Sequence, residues 1–157
     1  MKTGCALAIL LLLLLSFSSV GQTTSGMILT TPFKGANTIL VQTPDSAATA
    51  LYKLGQVFVQ QGYTIEKLDQ EALTLVCAPK TFVSLGNPVL VIKATAVAGT
   101  NSQLALTGDY TIRAGETVFA LHAQYNGPTP PEKKTTFGEL DRLANAYPNG
   151  KVAYTKR

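Results

Sequence analysis

Between Ala47 and Phe58, the residues Ala47, Ala50, Leu51, Leu54, Val57 and Phe58 fall at the 3.6-residue spacing of one buried helix face. That pattern returns only at Phe137, Leu140, Leu143, Ala144 and Tyr147. Elsewhere the apolar residues run in short stretches punctuated by Gly, Pro and Asn, the pattern of strands and turns. A parallel sheet needs a crossover for each strand, and two helices are too few to provide them. The chain is therefore expected to be α+β, with a mainly antiparallel sheet and both amphipathic helices packed on one face.

The order reads β-α-β-β-β-β-(β)-α-(β), the bracketed strands being those of least regular spacing. Thr38 to Thr43 is the first core strand, stopped by Pro44. The helix is predicted to open at Thr43-Pro44-Asp45-Ser46, with Thr43 as N-cap, Pro44 in the first helical position and Asp45 facing the positive helix end. Gly62 supplies the left-handed residue that closes it, and Tyr63 folds back on the last turn. Two hairpins follow: Thr64 to Leu68 with Ala72 to Ala78 around Asp69-Gln70-Glu71, then Val89 to Val97 with Leu104 to Ile112 around Gly99 to Ser102. Thr81 to Pro88 reads as a loop, Thr117 to Tyr125 as a further strand, and Asn126 to Lys134 as an extended surface connection. Thr135 or Thr136 caps the last helix, Pro148-Asn149-Gly150 stops it, and Val152 to Tyr154 adds an edge strand.

Residues 1–21 read as a secretory leader, with Lys2 as the positive start, Ala6 to Leu15 as the apolar run and a cut before Gln22. The run is about half the ~20 residues of a spanning helix. No transmembrane segment is expected after cleavage. Residues 22–35 read as a flexible entry segment, pairing at an edge around Met27 to Leu29, and residues 36–157 as a single domain. The expected location is the periplasm or the extracellular space. Cys5 precedes the apolar run, which excludes a lipoprotein anchor at that position and leaves Cys77 as the lone mature thiol, expected to be buried.

His122 is the only histidine, so a multi-histidine zinc site is excluded and no metal or other cofactor is expected. Cys77 and His122 are the one nucleophile and base that a shared sheet could bring together. There is no Gly-x-Ser-x-Gly elbow, dinucleotide fingerprint or phosphate loop. Glu139 and Asp141, two apart on a helix, diverge and are expected to be solvated. With 13 Lys and Arg against 9 Asp and Glu, the net charge is +4. An export leader removes nucleic acid from the expected partners and leaves a solvated basic surface. Tyr110, Phe119, Tyr125 and Tyr154 are the candidates for a binding face on the sheet opposite the helices.

The leader ending before Gln22, the Thr43-Pro44-Asp45-Ser46 opening, the Gln61-Gly62-Tyr63-Thr64-Ile65 closing, and Phe137-Gly138-Glu139-Leu140 followed by Val152-Ala153-Tyr154 together span most of the mature chain. In these the chain resembles small exported proteins of unknown function from Bacteroidetes-type bacteria. The resemblance implies a helix-on-sheet, TATA-binding-protein-like or cystatin-like arrangement and transfers no active-site residues. The leading expectation is a non-enzymatic envelope or secreted module that binds an envelope protein, a glycan or a small ligand. The alternatives are a small envelope hydrolase using Cys77 with His122, and a subunit that assembles with itself through exposed strands.

Overall fold

The computed structural model describes residues 27–83, 86–128 and 135–157. The expected leader (residues 1–21), residues 22–26 of the expected entry segment, residues 84 and 85 of the expected loop and residues 129–134 of the proline-rich connection lie outside them. The described chain forms β1 (Thr38–Thr43), α1 (Ala47–Gln60), β2 (Ile65–Asp69), β3 (Thr74–Cys77), β4 (Lys80–Thr81), β5 (Val89–Val97), β6 (Ser102–Ala114), β7 (Thr117–His122), α2 (Thr136–Asn145) and β8 (Lys151–Thr155). The fold is α+β, with one eight-stranded sheet in the order β2-β3-β5-β6-β1-β8 and every strand pair antiparallel. No helix among the described residues is long and apolar enough to cross a membrane.

The length of β6 organises the sheet. Its 13 residues carry β5 along one side, while β1 (Ile39 opposite Leu106) and then β7 (Asp109 opposite His122) share the other side end to end. Past β7, Ala123 donates to the Gly108 carbonyl and Tyr125 to that of Ala36, which swings the chain from β6 toward the lead-in of β1. Alternation then sorts the side chains. Leu75, Cys77, Leu90, Ile92, Leu104, Leu106, Ile39 and Val41 form the floor of the core beneath the helices. The opposite, open face carries Val89, Val91, Lys93, Asp109 and Thr111.

All six stripe residues of α1 are buried. Its start differs from the sequence reading: Ser46, not Thr43, is the N-cap, accepting from the Thr49 amide, and the helix begins at Ala47. Thr43 stays in β1 opposite Ser102, where its hydroxyl accepts from the Asp45 amide. Asp45 is spent on Lys53 (2.7 Å) and the Tyr147 hydroxyl (2.8 Å). The Lys53 hydrogen bond is the main influence holding its carboxyl below the ordinary range. The other end follows expectation. Gly62 (φ 78°) and Tyr63 return their amides to the Val59 and Phe58 carbonyls, and the Tyr63 ring packs 6.0 Å from that of Phe58.

Other differences are local. Ala72 and Leu73 belong to the turn rather than to β3, because Leu73 takes φ 51° and Asp69 caps the turn through the Ala72 amide. The Thr81–Pro88 loop lends Thr81 to β4, which pairs with β5. The β5–β6 hairpin is longer than expected, and β7 stops at His122 rather than Tyr125. The expected edge contact near Met27 to Leu29 is a bridge between Leu29 and Tyr154.

Thr135 caps α2 through the Gly138 amide. Glu139 and Asp141 diverge as expected, but they are half-buried and each seats a core tyrosine. Tyr63 donates to Glu139 (2.8 Å) and Tyr154 to Asp141 (2.6 Å). Arg142 bridges the helices from Glu139 to Gln61.

Candidate functional site

On the open face, the far half of β6 lies between β5 and β7. Register alone sets Asp109 beside His122 on β7 and Val91 on β5, with Lys93 one diagonal step away. The carboxylate accepts from His122 Nδ1 (2.5 Å) through one oxygen and from Lys93 Nζ (2.9 Å) through the other. Partial burial acts to raise the Asp109 carboxyl, but the Lys93 and His122 hydrogen bonds outweigh it and hold the group below its ordinary value. An ionised carboxylate only accepts, so Nδ1 carries the hydrogen and Nε2 is left facing solvent. The His122 side chain is 81% exposed. Exposed pairs of this kind contribute at most about 1 kcal/mol to folding. Their consequence is positional: a fixed cation and a fixed imidazole stand on an otherwise apolar surface.

That surface is a hollow of about 500 Å³, walled by Pro79, Val89, Val91, Thr111 and Ala120, with Asp109 and His122 at its rim. A second depression, about 430 Å³, lies between α1 and the β2–β3 hairpin, where Tyr52, Val59, Leu68 and Ile65 surround Gly55. It contains no charged side chain. Ligand sites pair apolar walls with a few convergent polar groups; of these two depressions the groove offers the uncharged Tyr52, Gln56 and Gln60, and the open-face hollow offers charged and titratable ones.

The sequence candidates are distributed differently from expectation. Cys77 lies fully buried on the helix side of β3, and His122 stands on the open side of β7, so the sheet itself separates the two and they form no dyad. Burial pushes the Cys77 thiol up to about 12, against a smaller opposing effect of Lys80. Because the thiolate is the reactive form, native Cys77 is expected to react with dithionitrobenzoate on the order of a hundredfold more slowly than in denaturant. Rapid native labelling would contradict its placement.

The four aromatic candidates do not make a face opposite the helices. Tyr154 pairs with Ile39, so it faces α2 and is 5% exposed. Its hydroxyl is pushed up to about 12, by burial first and by Asp141 second. Tyr125 packs against Phe137, the rings tilted at 58° with centroids 5.7 Å apart. Tyr110 is half-buried against the core and borders the hollow. Phe119 is exposed, but it lies opposite Ile112, on the same side of the sheet as Tyr110.

The residues missed by sequence reasoning are Lys93 and Asp109. A signal existed, since Lys93 is the single charged residue of β5 and Asp109 shares β6 only with Arg113. Only the pairing register shows that they meet, and that His122 joins them. No protein-family model matches this chain, and no curated protein does either.

Proposed function

We propose that the protein is an exported, non-enzymatic binding module of the cell envelope or the secreted space. Its ligand seat is the open-face hollow. The observation that carries this reading is an apolar cavity of about 500 Å³ lined by Asp109 and His122, with Lys93 outside the lining but ion-paired to Asp109. The leader-like run Ala6 to Leu15 supports the compartment. Lys93 uses one N–H on Asp109 and keeps others for an incoming acceptor, and the Val89, Val91 and Ala120 walls take an apolar body. The chemistry fits a small apolar ligand with one anionic head.

Anilinonaphthalenesulfonate has that form, and saturable fluorescence enhancement with one site per chain is the expected result. Ala120→Trp, on an exposed strand that tolerates it, is expected to fill the hollow and abolish uptake. Lys93→Gln is expected to weaken uptake by roughly fivefold, the scale of one partly exposed ionic contact. Val59→Glu, in the α1 groove, is expected to leave uptake unchanged. Uptake that survives Ala120→Trp or is lost in Val59→Glu would remove the hollow as the seat.

A further inference from the structure

We propose that β7 is a self-pairing edge and that a second copy of this chain adds its own β7 antiparallel to it. The argument rests on how each sheet edge is defended. An unpaired strand recruits another unless charge, proline, a bulge or a covering segment prevents it. Edge strand β2 carries Glu66, Lys67 and Asp69 and a register shift between Ile65 and Lys67. The outer side of β8 is met by Leu29, and β4 is only two residues long. Strand β7, Thr-Val-Phe-Ala-Leu-His, carries no Lys, Arg, Asp, Glu or proline and no register shift, and its six residues are all exposed, with none of the described residues covering its outer side. Val118, Phe119 and Leu121 are large apolar side chains left 42% to 54% exposed.

The backbone is aligned for the addition. Ala123 donates to Gly108, so by antiparallel alternation Leu121, Phe119 and Thr117 aim their amides and carbonyls at β6. Val118, Ala120 and His122 aim theirs outward, where no hydrogen-bond partner exists among the described residues. A two-fold axis normal to the sheet preserves its faces, so residues of like parity must meet across the new seam. With the axis at Phe119, the two Phe119 rings meet each other, Val118 meets Ala120, and Thr117 meets Leu121. The same register sets Glu116 of one copy opposite His122 of the other. Whenever His122 is protonated, its ring can donate to its own Asp109 through Nδ1 and to the second copy's Glu116 through Nε2. The seam is thus apolar at its centre and places an acidic residue opposite an imidazole at both ends.

The pairing does not rest on the ligand seat, although Ala120 and His122 belong to both, and it is tested by mass. Light scattering across a dilution series of the purified protein is expected to show a monomer–dimer equilibrium. Phe119→Lys places like charges face to face on the axis, and Ala120→Pro deletes only an outward amide. Each is expected to raise the dimer dissociation constant by about tenfold or more. Circular dichroism and thermal melting report whether each variant remains folded. Glu116→Lys alone and His122→Glu alone are expected to weaken the dimer, and the two changes together to restore it. Because Phe119 points away from the hollow, Phe119→Lys is expected to retain dye uptake, which separates loss of the dimer from loss of the seat. A monomer at every concentration, a dimer indifferent to folded β7 variants, or an edge filled only by another protein's strand would overturn the proposal.

Discussion

Phe58→Ala is expected to lower the unfolding free energy by about 3–5 kcal/mol, the range found when a fully buried aromatic is truncated in a core. Marginal domains have only about 5–15 kcal/mol in total, so the variant should be barely folded at room temperature. Phe58 has no exposed surface, and it occupies the position whose carbonyl receives the Tyr63 amide at the end of α1. Tyr63 packs on its ring and reaches across to Glu139 of α2. The cavity would therefore open where helix, sheet and second helix meet, and collapse around it would have to break the Tyr63–Glu139 contact. Urea denaturation measures the loss directly. Val59→Ala, one residue along and 58% exposed, is the control and is expected to change stability by no more than about 0.5 kcal/mol. Comparable losses at the two positions would show that α1 does not pack on the face described.

Gly108→Val is the second large effect, of opposite character, because it adds atoms where there is no room. A Cβ at this position would lie 3.0 Å from the Cδ1 atoms of both Leu140 and Leu90, and 3.3 Å from Ala123 Cβ. The glycine is what lets α2 rest directly on the centre of β6. Even the first added carbon forces the helix to lift, and valine adds two more. Overpacking of this kind costs about 1–3 kcal/mol and occasionally more. A double-mutant cycle with Leu140→Ala separates steric cause from strand propensity. Removing the Leu140 side chain is expected to recover about 1 kcal/mol or more of the Gly108→Val loss, since the two sites share one contact. Strict additivity would show that the valine is rejected for another reason.

What could be read in the chain, and what could not, divides by range. The α1 stripe and the Gly62–Tyr63 closure were legible because each depends on residues within one or two helical turns. The helix start was misread because Thr43 and Ser46 are both good caps. The pairing of Thr43 with Ser102, nearly sixty residues away, decides between them. Leu73 in a left-handed conformation leaves no trace in composition, since glycine or asparagine would normally mark it. The aromatic candidates failed on parity: whether Tyr154 points to helices or solvent depends on its standing opposite Ile39. The candidate site was hardest of all. Lys93, Asp109 and His122 lie on three strands, and nothing local to any one of them announces the other two.

The placement of β1 between β6 and β8 has a kinetic meaning. The first strand of the sheet acquires its outer neighbour only from Lys151–Thr155, so its edge stays open until the last strand arrives. Closing a contact across more than a hundred residues is entropically slow, and chains built on such pairings fold late and cooperatively rather than piece by piece. A growing chain that has emerged only as far as α2 would hold Thr38 to Thr43 half-paired. Completion of the sheet is thereby deferred until Lys151–Thr155 has been made.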